Sequence, residues 1–417
     1  MAQRVVVLGG GFGGLESAYY LKWRLRDRAQ VTIVSDRPDF LFKPNTIYIP
    51  FGLPPEKLMF PIAPGARRAG VDFLHARVED VDADKQEVIT AQGRVPFDRL
   101  VIATGAGMRP EEIPGLQEHA VGIWTVDEML RLRGELQHLV ERALTRGLQR
   151  VLFLVPPSNK CSGPLYELVF MLDTWLRRKH ARGLVHIVYS TYERSFIQAF
   201  GPRLHEVVTR EFQARGIEGL TEHVVTHVEP GTASYANGAR IPFDLLITFP
   251  PYVAARPYAS LPSDDRGFVA TELKTRRVQG HPHIYAVGDA ADFPVKQAFL
   301  AFLQADAAAE QIATEIVGEQ PRLCFEPTSM CVMEMFDKAT FAQVPLRVTG
   351  DPERPVEVRA DALGMYKVGV SPLWRAGKAL LGLYLPFRFR SGQPFHAGPL
   401  WQAMDLGLKA MSAVLAQ

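Results

Sequence analysis

The chain has 417 residues, with 47 Lys and Arg against 45 Asp and Glu, and 47% of its residues are hydrophobic. That length suits two or three domains with a substantial core, and the near-cancelling charges give no footing for nucleic-acid binding. Three cysteines do not make a disulfide framework, so any cysteine chemistry is local and redox-active.

The first element predicted is a strand, Val5-Val6-Val7-Leu8, apolar throughout as suits burial on both faces. Gly9, Gly11 and Gly14 follow at the G-x-G-x-x-G spacing, with Phe12 and Gly13 between them, and Leu15 to Leu21 reads as a helix. The glycines allow a tight turn and close approach of a pyrophosphate to the helix start. Taken alone, this motif leaves NAD, NADP and FAD open. A first strand at about Arg4 leaves no room for a signal peptide. No uncharged apolar run reaches the roughly 18 residues of a spanning helix. A cytoplasmic protein is expected, with peripheral membrane attachment compatible.

A second strand, Val31-Thr32-Ile33-Val34-Ser35, comes at the βαβ distance. Where such units place an acid for a ribose hydroxyl, the chain has Ser35 followed by Asp36. Residues 37–64 have little helical or strand period and read as a long loop, a kind that is usually functional. Phe97 to Gly105 is a strand ending in Ala103-Thr104-Gly105. Arg150 to Val155 opens a second βαβ unit, but its turn, Pro156 to Glu167, keeps only Gly163, and two prolines remove backbone donors. The next strand, Leu184 to Ser190, ends without an acid, so the nicotinamide site is expected to be lost. Cys161 sits in that turn. A helix N-terminus lowers a thiol's pKa, and the plain alternative is a small buried hydrophobe. Ile284 to Ala290 is a strand ending in Gly288-Asp289. Residues 364–417 mix apolar side chains, Leu373, Trp374, Leu383, Phe387 and Trp401 among them, with Lys367, Arg375, Lys378, Arg388, Arg390 and Lys409. Basic amphipathic segments of this kind suit an anionic membrane surface, and a helix pair packed on the rest of the chain is the alternative. His281 and His283 are expected in a surface turn and His223 and His227 near a strand. No metal-ligand spacing stands out.

Together the Gly9–Gly14, Ala103–Gly105 and Gly288–Asp289 stretches resemble the two-dinucleotide-binding-domain flavoproteins. The resemblance implies an α/β fold of two Rossmann-like domains plus a C-terminal membrane-associating region. It divides the chain into an FAD domain (1–120 and 265–320), an inserted degenerate nucleotide domain (121–264) and a C-terminal region (321–417). The cofactor implied is FAD, held by Gly9, Gly11, Phe12, Gly13, Gly14, Ser35, Asp36, Lys43, Pro44, Val78, Ala103, Thr104, Gly105, Gly288, Asp289, Lys296 and Gln297.

Cys161-Ser162-Gly163-Pro164-Leu165-Tyr166-Glu167 matches the C-x-G-P-x-Y-E stretch of the sulfide:quinone oxidoreductases and of the flavocytochrome c sulfide dehydrogenase flavoprotein. Cys331-Val332-Met333-Glu334-Met335-Phe336-Asp337 resembles their second cysteine stretch, and Phe40 to Asn45 and Phe249-Pro250-Pro251 also look similar. The resemblance implies that Cys161 and Cys331 are a redox pair beside the flavin, which takes electrons from sulfide or another small sulfur species. The flavin would then give them to a membrane quinone. Self-association stays open. For Glu167 it leaves two roles, a base near the cysteine or a structural hydrogen bond at the helix start. For Lys296 it leaves a place against the flavin or one on the solvated surface. Many members carry a third cysteine before Thr-Val-Asp. Here Trp124 precedes Thr125-Val126-Asp127, so non-covalent FAD is expected. Glu128 stands where relatives often have His, residues 191–201 hold no His, and Phe336 replaces a common Gly. Cys324 has no counterpart and reads as a spare buried thiol or an alternative partner for Cys161. A type II NADH:quinone oxidoreductase and a flavin-bearing persulfide sensor without quinone turnover are the alternative functions.

Overall fold

The structure, a computed structural model, describes residues 2–416. Strand Gln3–Leu8 is the centre of a five-stranded parallel sheet. It pairs with Ala29–Ser35 on one side and Arg99–Ile102 on the other, with Asp72–His75 and Ile284–Ala286 at the edges. Val5, Val7, Ile33, Val101 and Tyr285 bury one face against the helices Phe12–Leu25 and Ala298–Val317. Val6, Leu8, Val34, Leu100 and Ile102 bury the other. A sheet covered on both faces explains why these strands are apolar throughout rather than alternating.

A second five-stranded parallel sheet is built on Gln149–Val155, between Val185–Thr191 and Leu245–Thr248. Its helices Val126–Arg146 and Gly163–Arg178 pack into the largest hydrophobic cluster. Glu128 makes a capping box with Thr125 at the start of the helix Val126–Arg146, and so has a structural task.

Residues 37–64, expected as a loop, are instead a compact excursion. Asp39–Leu41 pairs with Met59–Pro61, and one wall is a 3-10 helix, Lys43–Phe51. Phe40, Ile47, Ile49, Leu58 and Phe60 are buried. Arg133 of the second domain donates to the carbonyls of Ile49 (2.7 Å) and Leu53 (2.6 Å). Prolines break the period here, but the apolar anchors survive between them.

Past the helix Ala298–Val317 the chain forms an antiparallel sheet, Thr328–Glu334 against Ala339–Val348, flanked by Val356–Val358 and Lys367–Ser371. It is fastened to the second domain by Arg215. That buried guanidinium donates to Asp173 (3.1 Å), Thr174 (2.9 Å) and Asp337 (2.8 Å), while Thr174 donates to the carbonyl of Met335 (2.6 Å). Asp337, part of the second cysteine stretch, is thus an anchor for the strand that carries Cys331. Phe336 adopts a left-handed φ of 69°, a conformation that glycine takes without cost. Its ring packs edge-on against Phe51, 5.0 Å between centroids.

Two helices end the chain, Leu373–Arg390 and Pro399–Leu415. Leu373, Leu380, Leu383 and Phe387 are exposed on the first, and Leu400, Leu406 and Val414 on the second. Not every residue expected at a membrane surface is there. Trp374 is fully buried, stacked on Phe341, and Lys378 and Arg388 point inward. No helix among the described residues is long and apolar enough to cross a membrane.

Candidate active site

The first sheet's carboxyl ends open onto a cavity of about 740 Å³, the position where ligands bind in open α/β sheets. Gly9, Gly11, Phe12, Gly13, Ser35, Asp36, Lys43, Pro44, Val78, Ala103, Thr104, Gly105, Gly288, Asp289, Lys296 and Gln297 all line it. Gly14 does not. A Cβ there would lie 1.9 Å from the carbonyl oxygen of Gly9, so its lack of a side chain serves the packing of helix on strand. Gly11 differs: a Cβ would meet nothing within 4 Å, which leaves the space in front of the helix start clear. Such a bare cradle at a helix N-terminus fits a pyrophosphate. The Ser35 hydroxyl is engaged in a turn with Arg37, which leaves Asp36 as the exposed carboxylate at the ribose end. Arg37, Arg77 and Arg256 also line the cavity. Sequence reasoning missed them because isolated arginines in loops carry no motif.

Deeper in, Lys43 lies over the Trp124 ring, 2.9 Å from its centroid, and Lys296 is buried over Phe268 (3.7 Å) while donating to the Ala291 carbonyl. Lys296 is therefore not a solvated surface lysine. Burial lowers the pKa of each to about 7, against the opposing pull of Asp289. Burial in turn raises the Asp289 carboxyl, with Lys296 and Lys43 pulling it back. Asp289 lies inside a single 3-10 turn, Gly288–Ala290, and the long helix begins only at Ala298.

Cys161 and Cys331 line the same cavity and are free thiols. Cys161 precedes the helix Gly163–Arg178, its N–H donating to Asn159 Oδ1 (2.9 Å). Cys331 sits mid-strand opposite Ala342. The helix start was expected to lower the Cys161 pKa. Instead, burial pushes it well up, the charges of Asp289 and Cys331 add to the rise, and a backbone bond from Gly163 opposes it. Burial likewise raises Cys331 to about 12, with Glu167 adding and Lys378 opposing. Withdrawal from water outweighs the helix end. Cys324 is exposed rather than buried, and it does not line the cavity.

Beside Cys331 lies an ion pair that the sequence did not announce. Glu167 accepts from Lys378 and from the N–H of Glu334 (2.8 Å), and Lys378 also donates to the Val332 carbonyl (3.0 Å). Glu167 therefore braces the Cys331 strand rather than the start of its own helix. Burial raises its pKa, with Lys378 pulling the other way. Glu334 in turn takes Arg375 (2.7 Å) and the Tyr48 hydroxyl (2.8 Å). Lys378 is 211 residues from its partner, a separation no local pattern reports.

The turn that would hold a second dinucleotide is occupied by its own side chains. Asn159 Nδ2 donates to the Phe249 carbonyl (2.8 Å), and Ser158 takes a left-handed φ of 61°. Glu193, two residues past the strand Val185–Thr191, accepts from Thr191 (3.0 Å) and from the Gln198 N–H (3.0 Å). The nearest acid is thus committed to its own loop.

Residues 3–148 match the pyridine nucleotide-disulphide oxidoreductase family. That match takes in the glycine cradle and four of the five strands of the first sheet. The resemblance first read from Cys161 to Glu167 is met by a sulfide-quinone reductase of Aquifex aeolicus, 30% identical over 244 residues. That match covers 56% of this chain and 54% of the relative, so the chain matches about half of that protein's length. A demethylphylloquinone reductase of Synechocystis is 26% identical over 376 residues, covering 83% of this chain and 88% of its own. The X-ray structure of the sulfide:quinone oxidoreductase from Aquifex aeolicus superposes with a TM-score of 0.85 at 22% identity, covering 98% of this chain and 96% of that one.

Proposed function

We propose that this chain oxidises sulfide, or a related small sulfur species, through Cys161 and Cys331 and delivers the electrons by way of non-covalently bound FAD to a membrane quinone. The observation that carries the reading is one cavity lined by the glycine cradle, Asp289, both cysteines and Glu167. The flavin, when bound, supplies a two-electron relay between sulfur and a second acceptor. The free thiols of Cys161 and Cys331 would first be oxidised to a bridge, their two electrons passing to the flavin. Hydrosulfide would then attack one sulfur of that bridge, a new S–S bond forming as the Cys161–Cys331 bond breaks and a thiolate leaves. The Glu167–Lys378 pair holds charge and proton beside Cys331. Lys43 and Lys296, both in the cavity wall, would oppose negative charge developing on the flavin when it is bound. Trp124, standing in for the third cysteine, offers no nucleophile for a covalent flavin bond. The exposed leucines and phenylalanine of the last two helices are the proposed foot on the cytoplasmic face of the membrane. The domain division stays as read from the sequence, with 321–417 contributing Cys331, Lys378 and the foot.

An NADH:quinone activity is the competing reading, favoured by the quinone reductase relative of Synechocystis. The side-chain-filled turn at Pro156 to Ser162 speaks against it. Anaerobic mixing with sulfide and with NADH separates the two. Bleaching of the flavin by sulfide alone is expected, and Cys161→Ser and Cys331→Ser should each lower sulfide-dependent quinone reduction at least about 100-fold. Bleaching by NADH and not by sulfide, or wild-type turnover in both variants, overturns the proposal.

A further inference from the structure

Behind the apolar end of the cavity lies a buried cluster that the chemistry above does not use. Glu16 from the helix Phe12–Leu25, Asp306 from the helix Ala298–Val317 and His396 from the loop between the last two helices bring one polar atom each within 4.8 Å of one another. His396 Nδ1 bonds Asp306 Oδ2, and Glu16 accepts from the N–H groups of Phe395 (2.6 Å) and His396 (3.2 Å). One atom is left over: His396 Nε2 is buried without a partner, while the Asp306 carboxyl pairs with that of Glu16. A buried polar atom with no partner is costly and asks for an explanation. The His396 ring lies one aromatic layer behind the cavity wall, on Phe395 (4.7 Å between centroids), Trp401 (4.6 Å) and Phe302 (5.8 Å), all three of which line the cavity while His396 does not.

The surroundings do not neutralise two carboxylates. Tyr20 and Arg24, on the Glu16 helix, are engaged with Glu310, and Arg24 also with Glu319. On the neighbouring helix Arg388 spends its donors on Gln393 and on the carbonyls of Pro394 and Ala397, near the Tyr384 ring. From the last helix Asp405 adds a further negative charge. The cluster therefore keeps protons. Burial holds Glu16 well up and Asp306 at about 7, and it lowers His396 to about 4, so the imidazole is neutral.

We propose that Glu16, Asp306 and His396 supply a proton to the acceptor reduced at the apolar end of the cavity, His396 Nε2 being the atom that hands it over. The inference rests on the quinone reading above. A quinone that takes two electrons must also take two protons to become a quinol. The His396 Nε2–H bond breaks as its proton passes to a water admitted past the Phe395 and Trp401 rings, and that water gives up a proton as an O–H bond forms on the acceptor. The Asp306 carboxyl proton passes to Nδ1, and the carboxyl pair is left with one negative charge until water reloads it. The electrons come from the flavin and the second proton from water. His396 is the donor, while Asp306 and Glu16 act through it as positioning residues.

The test isolates the acceptor step. Holoenzyme reduced with stoichiometric dithionite is mixed anaerobically either with decylubiquinone or with ferricyanide, which takes electrons without protons. H396N and D306N should slow re-oxidation by the quinone roughly 100-fold and leave ferricyanide re-oxidation at the wild-type rate. The wild-type quinone rate should fall as pH rises through about 7, because Asp306 then loses the proton it donates, and D306N should lack that fall. Independently of turnover, the infrared carbonyl stretch of a protonated buried carboxyl should be present in wild type below about pH 7 and diminished in D306N and E16Q. If H396N loses its flavin, D306N decides, since it keeps the side-chain volume. Quinone rates unchanged in D306N, or an equal slowing with ferricyanide, would assign the cluster a purely structural role and overturn the proposal. A wild-type enzyme re-oxidised by ferricyanide and not by quinone would overturn the quinone reading itself and this inference with it.

Discussion

Lys378 illustrates how one side chain changes meaning between sequence and structure. Counted among basic residues in an apolar tail, it suits a membrane surface. In the fold its stem is buried and its ammonium sits against Glu167 and the Val332 carbonyl. Removing one partner of a buried ion pair leaves the other charge uncompensated, whereas replacing both by neutral groups of similar volume is often tolerated. Lys378→Met should therefore lower stability by about 3 kcal/mol, read as a shift in the urea midpoint. The double variant Glu167→Gln, Lys378→Met should recover most of it. No recovery would mean that the pair is not an energetic unit. Arg388, caught on the carbonyls of Pro394 and Ala397, is the same lesson. Composition reports that a segment is basic, but only the three-dimensional partners decide which charges reach water.

At the scale of the element, the glycine turn shows which features can be read locally. Gly9, Gly11 and Gly14 lie between one strand and one helix, so their spacing alone announced the cradle. Their separate tasks were not visible in it. Gly14→Ala would drive a methyl against the Gly9 carbonyl, where rigid backbone cannot yield, and should prevent folding or flavin retention. Gly11→Ala meets open space and should fold with a wild-type melting temperature while binding flavin more weakly. Comparison of thermal unfolding with bound-flavin absorbance for the two variants checks the division of labour. Equal loss of fold in both would contradict it. The excursion at 37–64 was the opposite case. Its prolines erase the period that reveals helices and strands, and what shapes it is Arg133, 84 and 80 residues away, holding the carbonyls of Ile49 and Leu53.

For the whole molecule, the two-sheet plan was legible because its strands are short apolar runs with motifs at their ends. The long-range partnerships around the candidate site were not. Arg215 with Asp337, Glu167 with Lys378 and Glu16 with His396 each join segments more than 100 residues apart, and no periodicity encodes such pairs. The exposed row of Leu373, Leu380, Leu383 and Phe387 gives a prediction at this scale. Leu383→Ser with Phe387→Ser should leave the melting temperature unchanged, since both side chains are more than half exposed. It should reduce co-flotation with vesicles containing anionic lipid. Undiminished flotation, or none in the wild type, would remove this row from the proposed membrane foot.

One continuous stretch, residues 373–396, reaches both ends of the cavity. The helix Leu373–Arg390 brings Lys378 to Glu167 beside the Cys331 strand and places Leu381 and Leu385 in the cavity wall, and the loop after it carries His396 behind the far side. A proteolytic cut or a deletion inside this stretch would therefore disturb both ends of the cavity at once rather than one of them.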